Sequence, residues 1–399
     1  MKNVLFVLYE DFHSNSAVHV HHFANNLIEL GLDCVVSVPY NKQTVSAVGK
    51  NFEPLYKVTE YSEISRLNYF FDNRKPPDIV HVWTPREVIR QYCEELRQNY
   101  DFKLVIHLED NEEYILERSL NKSFQELLAL AHTLELPNNL SHPLKYRQFM
   151  GTADGVTVIM EPLKQFVPTN TPSLTLWPGV NSEEFYPREK NPELFQKFDI
   201  PPDSLVFCYT GNVHAVNIAE VRSLYLAIAL LNREGKPAIL IRTGRDFCQF
   251  LGEDDHWARQ YCRELGYVDR SLLPDILALA DALIQPGRVD KFNNYRFPSK
   301  LPEFLAMGKP VILPNTNIAL EMEHQKHAWI LPLVNALNII QAVKLITQDP
   351  ELDHQLSQGA VHFAKTRLNW RKNSELLKSF YQEITEGEAN ILQTLVTKN

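Results

Sequence analysis

Short apolar runs alternate with longer stretches of helical spacing along almost the whole chain. Residues 4–9 are a continuous apolar run and read as a buried strand, and residues 17–30 then place Val18, Phe23, Leu27 and Leu30 on one helical face. Gly31 closes that helix before a second strand at 34–38, which makes a β-α-β unit whose crossover implies parallel strands. The unit recurs with strands at 79–83, 104–107 and 155–159 and helices at 86–96, 113–130 and 161–166. Residues 168–202, dense in Pro, Asn, Thr and Ser, read as a domain boundary. Beyond it the pattern restarts, with strands at 205–210, 238–242, 265–268 and 282–285 and helices at 218–231 and 272–280. A short helix within 296–310, strands at 311–313 and 329–331, a helix at 336–346 and two more helices to about residue 384 complete it. This is an α/β chain of two Rossmann-like halves, without an internal sequence repeat. The expected arrangement is two sheets facing across a cleft, with sites at the carboxyl ends of the strands.

Length supports two domains, since 399 residues exceed what one core usually organises. With 44% hydrophobic and 22% charged residues the chain reads as soluble and globular, and no apolar run approaches the roughly 18 residues of a spanning helix. The opening MKNVLFVLYEDF meets Glu10 too soon for a signal-peptide core. Five cysteines without C-x-x-C spacing fit a reduced, cytoplasmic setting. The net charge of −9 is uneven, with 18 basic against 25 acidic residues over 1–190 and 22 against 24 over the rest. Such a balance disfavours nucleic acid as a partner and tilts away from tight membrane docking, while leaving peripheral membrane contact open.

Candidate chemistry concentrates in RFPSKLPEFLAMGKP, residues 296–310. Ser299 is placed to cap a helix, Pro302 fits its first turn, and Gly308 and Pro310 end it. Lys300 stands at the helix start and Glu303 one turn in, while Leu301, Phe304 and Leu305 lie towards the other side. Free N–H groups and a lysine attract phosphate, and the carboxylate accepts from vicinal sugar hydroxyls. A nucleotide sugar fits that pairing; an ordinary connection carrying a solvated Lys/Glu pair fits it too. The turn after the first strand, DFHSNSAVHVHH, has no glycine, but Ser14, Asn15 and Ser16 can bend and donate. His19, His21 and His22 lack a carboxylate or cysteine at ligand spacing, so no metal is expected there. His107 ends a strand and precedes Leu108-Glu109-Asp110. It reads either as a site residue or as a buried histidine paired with an acid. No G-x-G-x-x-G follows either first strand, which argues against a NAD-dependent dehydrogenase.

The order of these parts resembles the family 4 retaining glycosyltransferases, which have the GT-B fold. The resemblance runs through SAVHVHHFANNLIELGLDCVV, DIVHVW, ADGVTVIMEPLKQFV and PGVNSEEFYP, then LVFCYTGNV, LGYVDRSLLPDILALADALIQP, SKLPEFLAMGKPVI and DPELDHQLSQGAVHFAKTRLNW. It implies an N-terminal acceptor domain over 1–185, a nucleotide-sugar donor domain over 186–370, and a C-terminal helix over 371–399 that crosses back to the first domain. It further implies transfer of a sugar from a nucleotide diphosphate to a carbohydrate or glycoconjugate hydroxyl, with retention and with neither cofactor nor metal. Glu303 matches the ribose-holding second glutamate of the Glu-x7-Glu motif, and Ser299-Lys300-Leu301 lies where relatives meet the diphosphate. Gly211 and Asn212 match the donor-domain turn, and Gly266, Tyr267 and Val268 the segment that meets the base. His107 matches the histidine near the transferred sugar, and Ser14, Asn15, Ser16 and His19 the loop between donor and acceptor. Two departures stand out: Tyr295 occupies the place of the first glutamate, and the usual Arg and Lys after the donor-domain turn are missing. Arg242, Arg245, Arg288 and Arg296 are candidate replacements. The departures motivate an alternative, a GT-B-shaped nucleotide-binding or scaffold subunit with little or no catalysis.

Overall fold

The computed structural model describes residues 1–48 and 53–396, with side chains as far as residue 386. The chain divides into two compact units, Met1–Pro178 with the segment from Trp370 onward, and Gly179–Asn369.

The first unit is built on a seven-stranded parallel sheet. Its strands are β1 (Asn3–Leu8), β2 (Asp33–Val38), β3 (Lys57–Glu60), β4 (Ile79–Trp83), β5 (Lys103–Leu108), β6 (Gly155–Val158) and β7 (Ser173–Thr175), in the order β3-β2-β1-β4-β5-β6-β7. The central strands are apolar throughout because helices cover both faces of such a sheet. The helix Asn15–Glu29 buries Val20, Phe23, Ala24 and Leu27, and the helix Trp370–Val396 adds Leu377, Phe380, Tyr381 and Ile384 to the same core. Asn373 donates to the Trp177 carbonyl at 2.8 Å and Lys378 to that of Leu30 at 2.8 Å, so that helix belongs to the first unit.

Three expectations for this half need correction. The helix expected at 113–130 is two, Glu112–Leu120 and Phe124–Ala129, because Asn121 turns left-handed at φ 51° and Ser123 caps a new start. The helix expected at 161–166 is a 3-10 helix. Strands β3 and β7 are additional to the expected ones, since neither carries a run of buried residues.

The second unit holds a six-stranded parallel sheet of β8 (Leu205–Thr210), β9 (Ala238–Thr243), β10 (Cys262–Gly266), β11 (Ala282–Ile284), β12 (Val311–Pro314) and β13 (Trp329–Leu331), in the order β10-β9-β8-β11-β12-β13. Gly266, at φ 64°, ends β10 two residues earlier than expected and leaves Tyr267 and Val268 in the loop beyond it. Helix Ile218–Arg233 packs into one core with β8, β9 and the helix Ala336–Gln348. The short helix Leu301–Ala306 is anchored through Leu301, Phe304 and Leu305, all fully buried, each of which contributes about 2 kcal/mol or more by leaving water. No helix among the described residues is long and apolar enough to cross a membrane, and all five cysteines are free thiols.

Candidate functional site

In the second unit the candidate residues gather at the carboxyl ends of β8, β9 and β10. Gly211 follows β8 and donates its N–H to the Thr243 carbonyl at 3.2 Å, while Gly244 donates to that of Gly266 at 2.7 Å. Both glycines are required by close approach. A Cβ on Gly244, at φ 94°, would meet the Gly211 carbonyl at 2.6 Å, and one on Gly211 would meet the Tyr209 hydroxyl at 2.5 Å and the Lys300 ammonium at 2.7 Å. The Asn212 side chain accepts the Arg245 N–H at 2.8 Å, which ties the two loops together.

Lys300 therefore lies directly on the Gly211 turn, with its ammonium 4.9 Å from the centre of the Tyr209 ring. It has no ion pair among the described residues, and burial together with the neighbouring Arg296 guanidinium pushes its pKa down to about 8. Arg296 lies over Phe292 at 4.7 Å and likewise has no carboxylate partner among the described residues. Two cations are thus held beside each other with only the more distant Glu303 carboxylate, itself paired to Arg270, acting on Lys300, an arrangement that a bound polyanion would relieve. Glu303 is largely buried; burial raises its pKa, against the pull of Arg270, whose guanidinium reaches its Oε1 at 2.9 Å.

Of the other arginines, Arg242 and Arg288 are committed elsewhere. Arg242 is 2% exposed, donates from Nε to the Tyr225 hydroxyl at 2.8 Å and lies 2.7 Å from Asp246 and 3.6 Å from Glu264, so its charge is absorbed by a structural network. Arg288 reaches Asp290 at 2.8 Å and Glu220 at 3.4 Å. Arg245 lies 4.6 Å over the Tyr267 ring, which is 60% exposed and offers a flat surface beside the partly buried Val268. Two expectations for the 296–310 segment also change. Ser299 is exposed in the preceding turn and caps nothing; Lys300 occupies the cap position without a side-chain hydrogen bond. Leu301 gives its N–H to the Pro298 carbonyl at 3.0 Å, and Pro302 has none to offer. An anion here would meet the Lys300 and Arg296 side chains more than helix amides.

In the first unit Ser14 caps the helix Asn15–Glu29 by accepting the Ala17 N–H at 3.2 Å, and Asn15 opens that helix. Ser16 and His19 converge on one carboxylate, Glu109: Ser16 donates to Oε2, and His19 Nδ1 and the Trp83 indole N–H each lie 2.8 Å from Oε1. These partners outweigh the desolvation of Glu109 and hold its pKa at about 2. His107 is 1% exposed and stacks on Trp83 at 3.9 Å; its Nδ1 lies 2.8 Å from Thr157 Oγ1 and its Nε2 has no protein partner among the described residues. Burial pushes its pKa down to about 3. The acid beside His107 in sequence is thus bound to His19, and Trp83 and Thr157 join the cluster unforeseen. His21 meets Tyr56 at 3.0 Å and His22 stacks on Trp370 at 4.4 Å, and no cluster of three metal-ligating side chains occurs among the described residues.

Residues 204–349 match the family model for glycosyl transferases group 1. Among curated proteins no sequence matches the chain. Solved structures similar over nearly its whole length include Anabaena HepE in complex with UDP and glucose, with a TM-score of 0.69, 11% identity and coverage of 96% of this chain and 100% of that one. The sucrose-phosphate synthase of Thermosynechococcus elongatus gives 0.67 at 12% identity, covering 97% and 100%. A glycosyltransferase from Rickettsia africae gives 0.69 at 14%, covering 96% and 99%. With two parallel-stranded α/β units and these neighbours, the chain has the GT-B fold, and its second unit contains a segment that matches the glycosyl transferases group 1.

Proposed function

We propose that this protein is a retaining glycosyltransferase that moves a sugar from a nucleotide diphosphate to an acceptor hydroxyl without a metal ion. The observation that carries the reading is Lys300 on the glycine turn after β8 with Arg296 beside it, neither in an ion pair among the described residues. The barrier to transfer lies in separating an oxocarbenium-like sugar from its diphosphate, and fixed positive charge on the leaving group lowers that barrier more than anything else a protein can supply. Holding the acceptor oxygen near the anomeric carbon, on the side the phosphate leaves, provides much of the rest, and the phosphate takes up the acceptor's proton. Glu303 is assigned to the ribose hydroxyls, the Tyr267 and Val268 segment to the base, and His107 to a sugar oxygen. The acceptor is a carbohydrate or glycoconjugate. Since HepE, alike in fold, is complexed with UDP and glucose, UDP-sugars are the first donors to try.

Calorimetry with UDP and GDP, followed by a screen for slow hydrolysis of nucleotide sugars, tests the proposal. One nucleotide should bind and its sugar should be hydrolysed. Absence of binding or of hydrolysis defeats the transferase and favours a nucleotide-binding or scaffold subunit, which need do neither, a reading that Tyr295 in place of the first glutamate supports.

A further inference from the structure

Four buried side chains of the first unit form one hydrogen-bond chain that ends at His107. The Tyr381 hydroxyl, on the C-terminal helix, lies 2.6 Å from His81 Nδ1 on β4. His81 Nε2 lies 2.9 Å from Thr157 Oγ1 on β6, and the same oxygen lies 2.8 Å from His107 Nδ1 on β5. Tyr381, His81 and Thr157 are fully buried, and His107 and Thr157 are register partners on adjacent strands.

Such a chain has two possible directions. If Tyr381 donates to His81 Nδ1, a neutral His81 carries its proton on Nε2 and gives it to Thr157. The threonine hydroxyl then donates to His107 Nδ1, and the His107 proton stands on Nε2. The opposite direction leaves the phenolic O–H without an acceptor, because His81 is its one hydrogen-bond partner among the described residues. It also leaves the His107 Nε2 lone pair unmet, so two groups go unsatisfied instead of one. An unmade buried hydrogen bond biases the two directions by roughly tenfold or more. Burial holds both imidazoles neutral, since it lowers the pKa of each.

We infer that Tyr381, His81 and Thr157 fix His107 as the Nε2–H tautomer, so that His107 is a neutral hydrogen-bond donor and not a proton acceptor. The three are positioning residues. Stacking on Trp83 fixes the ring plane, and the chain fixes which nitrogen carries the proton. His107 can then hold an oxygen of a ligand through its lone pair, and it cannot act as the base for an acceptor hydroxyl. That the oxygen belongs to a sugar rests on the function proposed above; the tautomer does not.

The test is a long-range 1H–15N correlation spectrum of protein labelled at histidine nitrogen, with His107 assigned by its loss in His107→Gln. Between about pH 6 and about pH 8, where an ordinary histidine titrates, His107 and His81 should both keep the Nε2–H pattern. An Nδ1–H pattern or an imidazolium at His107 overturns the inference. In Tyr381→Phe both directions leave the same number of unmet groups, so His107 should become a mixture of tautomers and its two nitrogen shifts should draw together. Unchanged shifts in a folded variant would show that Tyr381 only packs. Should that variant fail to fold, the wild-type spectrum alone decides. None of these readings depends on transferase activity, so they stand or fall separately from the proposed function.

Discussion

Replacing Lys300 with methionine tests the phosphate site through protons as well as affinity. Burial and Arg296 bring Lys300 from 10.5 to about 8, which amounts to roughly 3 kcal/mol against the charged form at about 1.4 kcal/mol per tenfold. A phosphate oxygen at about 4 Å returns about 4 kcal/mol in surroundings with an effective dielectric near 20. The free protein should therefore lose this proton near pH 8, and the complex should keep it well above. Nucleotide affinity should be flat below about pH 8 and should fall by up to tenfold per unit above it. In calorimetry at about pH 8.5, in buffers of different ionisation heat, binding should take up a fraction of a proton. The free protein should gain stability between about pH 8 and about 10.5, since the unfolded chain then holds a proton the folded chain has released. Lys300→Met should abolish the uptake and flatten the profile, with a loss of roughly 10²–10³ in turnover. Equal proton uptake in the variant, or wild-type affinity that rises with pH, would rule out a phosphate held by this ammonium.

Arg296 and Arg242 should separate cleanly. Arg296→Met should weaken nucleotide binding by about 1–2 kcal/mol with little change in melting temperature, whereas Arg242→Met, which removes the hydrogen bond to the buried Tyr225 hydroxyl and leaves Asp246 and Glu264 to Arg259 alone, should lower stability by about 2 kcal/mol and leave nucleotide affinity alone. Paired calorimetry and thermal melts check both. Glu109→Gln should destabilise the first unit by about 2–3 kcal/mol at neutral pH in denaturant titrations. The wild-type contribution of Glu109 is present above its ordinary carboxylate pKa and should fade as pH falls from about 4.5 through about 2. Gly211→Ala should displace Tyr209 or Lys300, with a stability loss of about 1–3 kcal/mol in thermal melts and a larger proportional loss of nucleotide affinity in calorimetry.

The alternation of apolar runs and helical spacing is enough to read two parallel α/β units, because strands buried on both faces leave continuous apolar sequence such as residues 79–83 and 205–210. The edge strands β3 and β7 are illegible, as half-exposed strands carry no such run. Within 296–310 the helix, Gly308 and the strand after it are readable from local chemistry, yet the cap moves from Ser299 to Lys300. Arg242 and Arg296 are indistinguishable in a sequence. Only packing shows that one meets Asp246 and Glu264 while the other meets no carboxylate among the described residues, and no local pattern announces a partner far along the chain. The bond from His19 to Glu109 spans 90 positions, and that from His81 to Tyr381 spans 300.

Whether Lys300 and Arg296 exist to hold a departing diphosphate can be seen outright in a crystal structure with a bound nucleotide sugar, drawn from a panel of UDP and GDP donors. The diphosphate should lie on the Gly211 turn within hydrogen-bond reach of the Lys300 ammonium and the Arg296 guanidinium. A donor bound with its phosphates away from both cations would overturn that assignment.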